Sequence, residues 1–184
     1  MTIEKTPILY LNKTDLNFKI IEKYRAFPKL LEALDNWILM PDKTLLPKLM
    51  ELTQIVNKIQ PLTNDIVAYR GFNNSFFLSY QETFGLPKVP ELNSVTTRTT
   101  TNPMSFSTDI RIARAFGSII LQTQLNIAKH HFLRITDELA YLISIERRKL
   151  KEIETQKEII VFPNTELQIK VIETNKKPSW FKWK

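Results

Sequence analysis

The chain predicts an α+β fold, with helices first and antiparallel strands after. Three observations carry this: a helical apolar period through the first sixty residues, a change to short β-branched runs after Pro61, and no regular strand–helix alternation. In the first part, Leu16, Phe18, Ile20, Ile21 and Tyr24 recur at helix-like intervals, followed by Leu30, Leu31, Leu34, Trp37, Ile38 and Leu39. Pro28 and Pro41 divide this stretch into at least two pieces. A further helix runs from Leu45 to Ile59, with Leu46, Leu49, Met50, Leu52, Ile55, Val56 and Ile59 on its apolar face. Pro61 closes it, because proline lacks the N–H that a continuing helix needs. These helices read as packing elements.

The second part opens with Asp65-Ile66-Val67-Ala68-Tyr69-Arg70, which has strand composition and ends at Gly71. Phe72 to Asn93 reads as loop, and Val95 to Thr101 as extended, since β-branched residues tolerate that geometry. After Pro103, Met104 to Thr108 forms a short strand, and Ile110 to Phe116 one or two helical turns with Asp109 at their start. Ser118 to Leu125, Ile159 to Phe162 and Leu167 to Ile172 read as strands, and the charge-dense Ile145 to Thr155 as an exposed segment. The layout is one domain: a helical region over 1–60, a β-rich core over 61–175 and a basic-aromatic tail over 176–184.

Composition bounds the chemistry. A chain of 184 residues buries about 70% of its unfolded surface, and 43% apolar with 24% charged residues is ordinary for a globular domain. No cysteine is present, which excludes disulfides and thiolate metal sites, and two histidines make an imidazole-rich metal site a poor fit. No apolar run reaches the length needed to span a bilayer, and the N-terminus lacks a basic-then-apolar leader. The reading is therefore a cytoplasmic protein, of its own cell or of a host cell, without a metal and without a membrane partner. The excess of 26 Lys+Arg over 19 Asp+Glu gives +7, which favours approach to polyanions and does not choose among them.

Three separated stretches carry possible chemistry. Arg70 ends a strand, and its planar fork suits two-point contact with a phosphate; by itself it reads more simply as a strand-edge ion pair. Glu158 heads the run Ile159-Ile160-Val161-Phe162, where a carboxylate can stabilise positive charge developing on a sugar. Gln156, two residues earlier, shares its face if both lie on one strand, and Glu154 continues that face. Ser107 and Thr108 supply hydroxyls that can fix a carboxylate.

In this order, Ala68-Tyr69-Arg70-Gly71, Ser105-Phe106-Ser107-Thr108-Asp109 and Gln156-Lys157-Glu158 resemble the arginine, Ser-Thr-Ser and glutamate motifs of the R-S-E class of mono-ADP-ribosyltransferases. The resemblance covers about residues 61 to 172 and takes in Ala113, Phe116 and Ile119 after the serine motif and Pro163 to Ile169 after the glutamate. It implies two facing, mostly antiparallel sheets with an N-terminal helical region, and transfer of ADP-ribose from NAD, used as co-substrate, to a macromolecule with release of nicotinamide. It also implies roles. Arg70 binds NAD phosphate with Gly71 near the nicotinamide end, Ser107 orients the catalytic Glu158, and Thr108 supports the strand or NAD. Gln156 orients the acceptor, and the 145–155 segment, carrying Arg147, Arg148, Lys149 and Lys151, recognises it. Phe132 and Tyr141 are positional candidates for stacking on nicotinamide.

Two departures matter. Asp109 stands where the motif has its second serine, and Gln156 stands where arginine-modifying members have glutamate. The glutamine is similar to the Rho-modifying clostridial toxins, and leans the acceptor towards an Asn, Gln or hydroxyl side chain of a protein in a host or target cell. The small size resembles bacteriophage transferases. Two other outcomes stay open at this level. One is an NAD glycohydrolase on the same fold. The other is a basic nucleic-acid-binding module, suggested by Lys176-Lys177-Pro178-Ser179-Trp180-Phe181-Lys182-Trp183-Lys184, where cations interleave with aromatics. An RNA-associated protein target unites the two.

Overall fold

The computed structural model of the protein describes residues 8–72 and 91–174. The 73–90 part of the expected loop and the basic-aromatic tail lie outside the described residues. A short strand β1 (Leu9–Leu11) precedes helices α1 (Phe18–Arg25), α2 (Pro28–Leu39) and α3 (Leu46–Ile59). Strands β2 (Ile66–Phe72), β3 (Val95–Thr99) and β4 (Met104–Ser107) follow, then helix α4 (Ile110–Phe116), β5 (Ile119–Leu125) and β6 (Phe132–Arg134). Helix α5 (Asp137–Tyr141) runs into a π-helical turn, Leu142–Arg147, before β7 (Ile153–Thr155), β8 (Glu158–Val161) and β9 (Glu166–Thr174). Among the described residues no helix is long and apolar enough to cross a membrane.

Local chemistry explains the helix starts. Asn17 caps α1 by accepting the Lys19 N–H at 3.1 Å, and Asp109 caps α4 by accepting the Arg111 N–H at 2.9 Å. Pro28 opens α2, where its missing N–H costs nothing, so this proline begins a helix rather than interrupting one.

Among the described residues all strand pairs are antiparallel, in a seven-stranded sheet of order β3-β9-β5-β2-β4-β8-β6 and a two-stranded sheet β1-β7. The α+β class is as the sequence reads it; the strands divide seven and two. The large sheet has a seam. β2 pairs with β5 along its whole length, but with β4 at one position only, Tyr69 opposite Ser107.

Two apolar cores flank the strands. One joins the helices to β6 and β8 through Tyr24, Leu34, Leu49, Leu52, Leu133 and Ile160. The other fills the inner face of the sheet with Ala68, Phe106, Leu121, Ile159, Val161 and Val171. β8 therefore faces apolar surroundings on both sides, Ile160 towards the helices and its neighbours towards the sheet core.

Two segments differ from the sequence reading. Leu9–Leu11 is a strand inside the stretch read as helical, because Ile153–Thr155 offers it a pairing partner. The stretch read as the exposed segment 145–155 instead contains that strand, with Ile153 and Thr155 buried. Its charges cluster at the connecting turn while its apolar residues turn inward.

Gly71 is fixed by packing. α4 crosses β2 so closely that a Cβ at position 71 meets the Ala113 carbonyl oxygen at 1.8 Å and its carbon at 2.8 Å, both backbone atoms. No rotamer change relieves such an overlap. Gly71→Ala is expected to destabilise the fold by about 2 kcal/mol or more, read as a lowered midpoint in thermal or urea unfolding.

Candidate functional site

The three sequence motifs converge at the seam between β2 and β4. Arg70 lies on the same face of β2 as buried Ala68 and Phe72, so strand alternation aims it inward. Its guanidinium stacks over the Phe72 ring at 5.1 Å, and Nη1 donates to the Ser105 carbonyl at 2.5 Å. That bond crosses the seam where the backbone ladder supplies one pair. Ser105 Oγ donates to Glu158 Oε1 at 2.5 Å. A chain of contacts thus runs from β2 through β4 to β8, over residues 35 and 53 positions apart in sequence.

The serine holding the glutamate differs from the expectation. Ser107 faces Glu158 in the ladder, yet its hydroxyl donates to the Gln156 carbonyl at 2.6 Å and accepts the Asp109 N–H at 3.0 Å. Ser105 reaches the carboxylate diagonally. The two serines share a face of β4, so alternation does not distinguish them; the turn ahead of β8 does, by bringing the Gln156 carbonyl over Ser107.

That turn is tightly held. Lys157 has φ 49°, the left-handed region that a side chain disfavours. Three hydrogen bonds over-determine it: Ser107 to the Gln156 carbonyl at 2.6 Å, Thr108 N–H to the Lys157 carbonyl at 3.0 Å, and Lys157 N–H to Thr155 Oγ1 at 3.0 Å. Lys157 Nζ also pairs with Asp137. Gln156 and Lys157 lie between β7 and β8, so the shared orientation of Gln156 and Glu158 comes from this kink and not from one continuous strand.

Around these groups is a cleft of about 120 Å³, walled by Arg70, Gly71, Ser105, Ser107, Gln156 and Glu158 and by the inner side of α4. Its size suits a ring-sized group, with a larger ligand extending outside. Among the described residues, the aromatics that line it are Tyr69, Phe106 and Phe116, the last 40% exposed. Phe132 and Tyr141, the positional candidates, pack elsewhere: Phe132 in the sheet core, Tyr141 edge-on against Phe18 at 5.8 Å. Thr108 is exposed and lines a different cavity, with Arg134, Asp137 and Lys157. Gly71 is in the cleft, but its bareness is what α4 requires.

The expected acceptor-recognition cations are drawn towards the helices. Arg147 Nε lies 3.5 Å and Arg148 Nε 2.8 Å from opposite oxygens of Asp35 on α2. Lys149 and Lys151 remain exposed on the turn. Among the described residues no group of three carboxylate or imidazole side chains gathers as a metal site.

Burial pushes the Glu158 carboxyl up from its ordinary 4.5, while the Ser105 hydroxyl and the Arg70 charge pull it back. A carboxyl with a raised native pKa binds its proton more tightly folded than unfolded. Stability relative to Glu158→Gln is therefore full below about 4.5 and falls as pH rises through the native pKa. Parallel melts of both proteins from pH 4 to 8 are expected to show the wild type losing ground to the variant on the alkaline side. No protein-family model, no curated protein and no solved structure matches this chain.

Proposed function

We propose that the protein is an NAD-dependent mono-ADP-ribosyltransferase of the R-S-E type, acting on a macromolecular acceptor. The observation that carries the reading is the bonded chain Arg70–Ser105–Glu158, assembled from three strands in a cleft that Gln156 also lines. A structural arginine and a solvated glutamate have no need of a shared cleft.

The residues divide the chemistry. Arg70 offers a rigid cation to the pyrophosphate of NAD. Phe116 and Tyr69 offer ring faces to nicotinamide at the cleft mouth. The bond between ribose C1′ and the nicotinamide nitrogen breaks, and both electrons leave with nicotinamide, which becomes neutral. Glu158, fixed by Ser105, stabilises the positive charge left on the ribose and accepts from its hydroxyl. A lone pair of the acceptor then forms the new bond to C1′, and the acceptor's proton passes to solvent. Water in the acceptor's place gives the glycohydrolase outcome at the same site, so both activities share these residues.

Purified protein incubated with radiolabelled NAD and a cell lysate is expected to label a macromolecule and release nicotinamide. Glu158→Ala lowers both by about 100-fold or more; full activity in this variant refutes the reading. The two serines differ in what they hold. Ser105→Ala lowers kcat by about 10- to 100-fold by freeing the carboxylate. Ser107→Ala instead leaves the Gln156 carbonyl and Asp109 N–H without their partner and costs about 1–3 kcal/mol of stability.

A further inference from the structure

The turn ahead of β8 borders two separate cavities. Gln156 and Glu158 line the cleft, whereas Lys157 lines a second cavity, of about 430 Å³, that shares no lining residue with it. Such a volume lies in the range of small-molecule sites. One part of its wall is aliphatic, built from Leu62, Ile66 and Ile135. The rest carries four charged side chains: Arg134 at the end of β6, Asp137 and Glu138 in the first turn of α5, and Lys157.

These charges sum to zero but do not close on one another. Lys157 pairs with Asp137. Arg134 and Glu138 share the cavity without forming an ion pair. Arg134 Nη2 donates to the Gln60 carbonyl at 3.0 Å, and no carboxylate meets its guanidinium among the described residues. Glu138, 7% exposed, accepts the Asn17 N–H at 3.4 Å on one oxygen and a Gln60 Nε2–H at 3.0 Å on the other. Two such bonds leave a carboxylate with acceptor capacity to spare. A buried carboxylate and a half-buried guanidinium that face one space without meeting are costly unless a third group joins them. A bare anion entering here meets two carboxylates, and a bare cation meets Arg134 and Lys157. A ligand carrying both charges matches the whole wall.

We propose that this cavity binds a free aliphatic α-amino acid as its zwitterion. The α-carboxylate accepts hydrogen bonds from Arg134 and Lys157. The ammonium group donates to Glu138 and Asp137. The hydrocarbon side chain lies against Leu62, Ile66 and Ile135. Binding here needs neither NAD nor a transfer step, so it stands or falls apart from the transferase reading.

Calorimetric titration of the full chain with L-leucine, L-isoleucine and L-valine is expected to show saturable binding of at least one of them. For the amino acid that binds, the amide derivative lacks the carboxylate and the des-amino acid lacks the ammonium. Each is expected to bind at least about tenfold more weakly, because each leaves a charged group of the wall without its partner. Arg134→Gln lowers affinity for the amino acid at least about tenfold and erases its preference over the amide, a change of selectivity that a merely loosened fold does not produce. Thr108→Trp, at an exposed residue of the cavity wall, blocks entry where a folding defect is least expected. No saturable binding of any of the three, equal affinity for the amide or the des-amino acid, or unchanged affinity in both variants overturns the proposal.

Discussion

Everything at the site depends on β8 being buried on both faces. Ile160 packs among the helices and Ile159 and Val161 among the sheet strands, so this four-residue strand cannot slide by one position without exchanging its two cores. Its backbone is paired with β4 on one side and β6 on the other, and the Glu158 carbonyl accepts the Ile135 N–H at 2.9 Å. The carboxylate at its head is consequently held by main chain and apolar packing before any side chain touches it. Ser105 then fixes the remaining torsions. The order of importance is core first and hydroxyl second, which is how a buried acid keeps one geometry.

The kink at Gln156 and Lys157 does the complementary task. A regular strand from β7 into β8 runs both residues into the ladder, and a neighbouring strand then covers them. The left-handed Lys157 interrupts this, and Ser107 at the end of β4 and the Thr108 N–H just beyond it hold the interruption in place. One break in regular structure thus opens space on two sides of the same turn.

Much of this was legible in the sequence, for identifiable reasons. Helices α2 and α3 announced themselves by apolar period and proline, β2, β5 and β9 by β-branched content between turn signals, and β4 by its place after Pro103. The meeting of Arg70 and Glu158 followed from motif order. What escaped was tertiary in origin. β1 and β7 are three-residue strands that exist because each supplies the other's partner. The turn from Leu142 to Arg147 is charged on one side and buried on the other, and the charges dominated the reading. Ser105 and Ser107 occupy equivalent faces of one strand, and only the path of a turn fifty residues later assigns the carboxylate to the first. The pull of Asp35 on Arg147 and Arg148 lay equally out of reach, since a single acidic residue on a helix carries no signal of its distant partners.

The seam at Tyr69 and Ser107 has a thermodynamic consequence. Two halves of a seven-stranded sheet are joined there by one backbone pair and by the Arg70 guanidinium on the Ser105 carbonyl. An anion that draws the guanidinium to itself competes with that carbonyl, so occupancy and the tightness of the seam are linked equilibria, each shifting the other by the same free energy. On the proposed function the arginine is at once recognition element and fastener. Loss of activity on replacing it therefore cannot separate a missing phosphate contact from a loosened sheet, and a lysine there, keeping charge without the fork, is the substitution that tells the two apart.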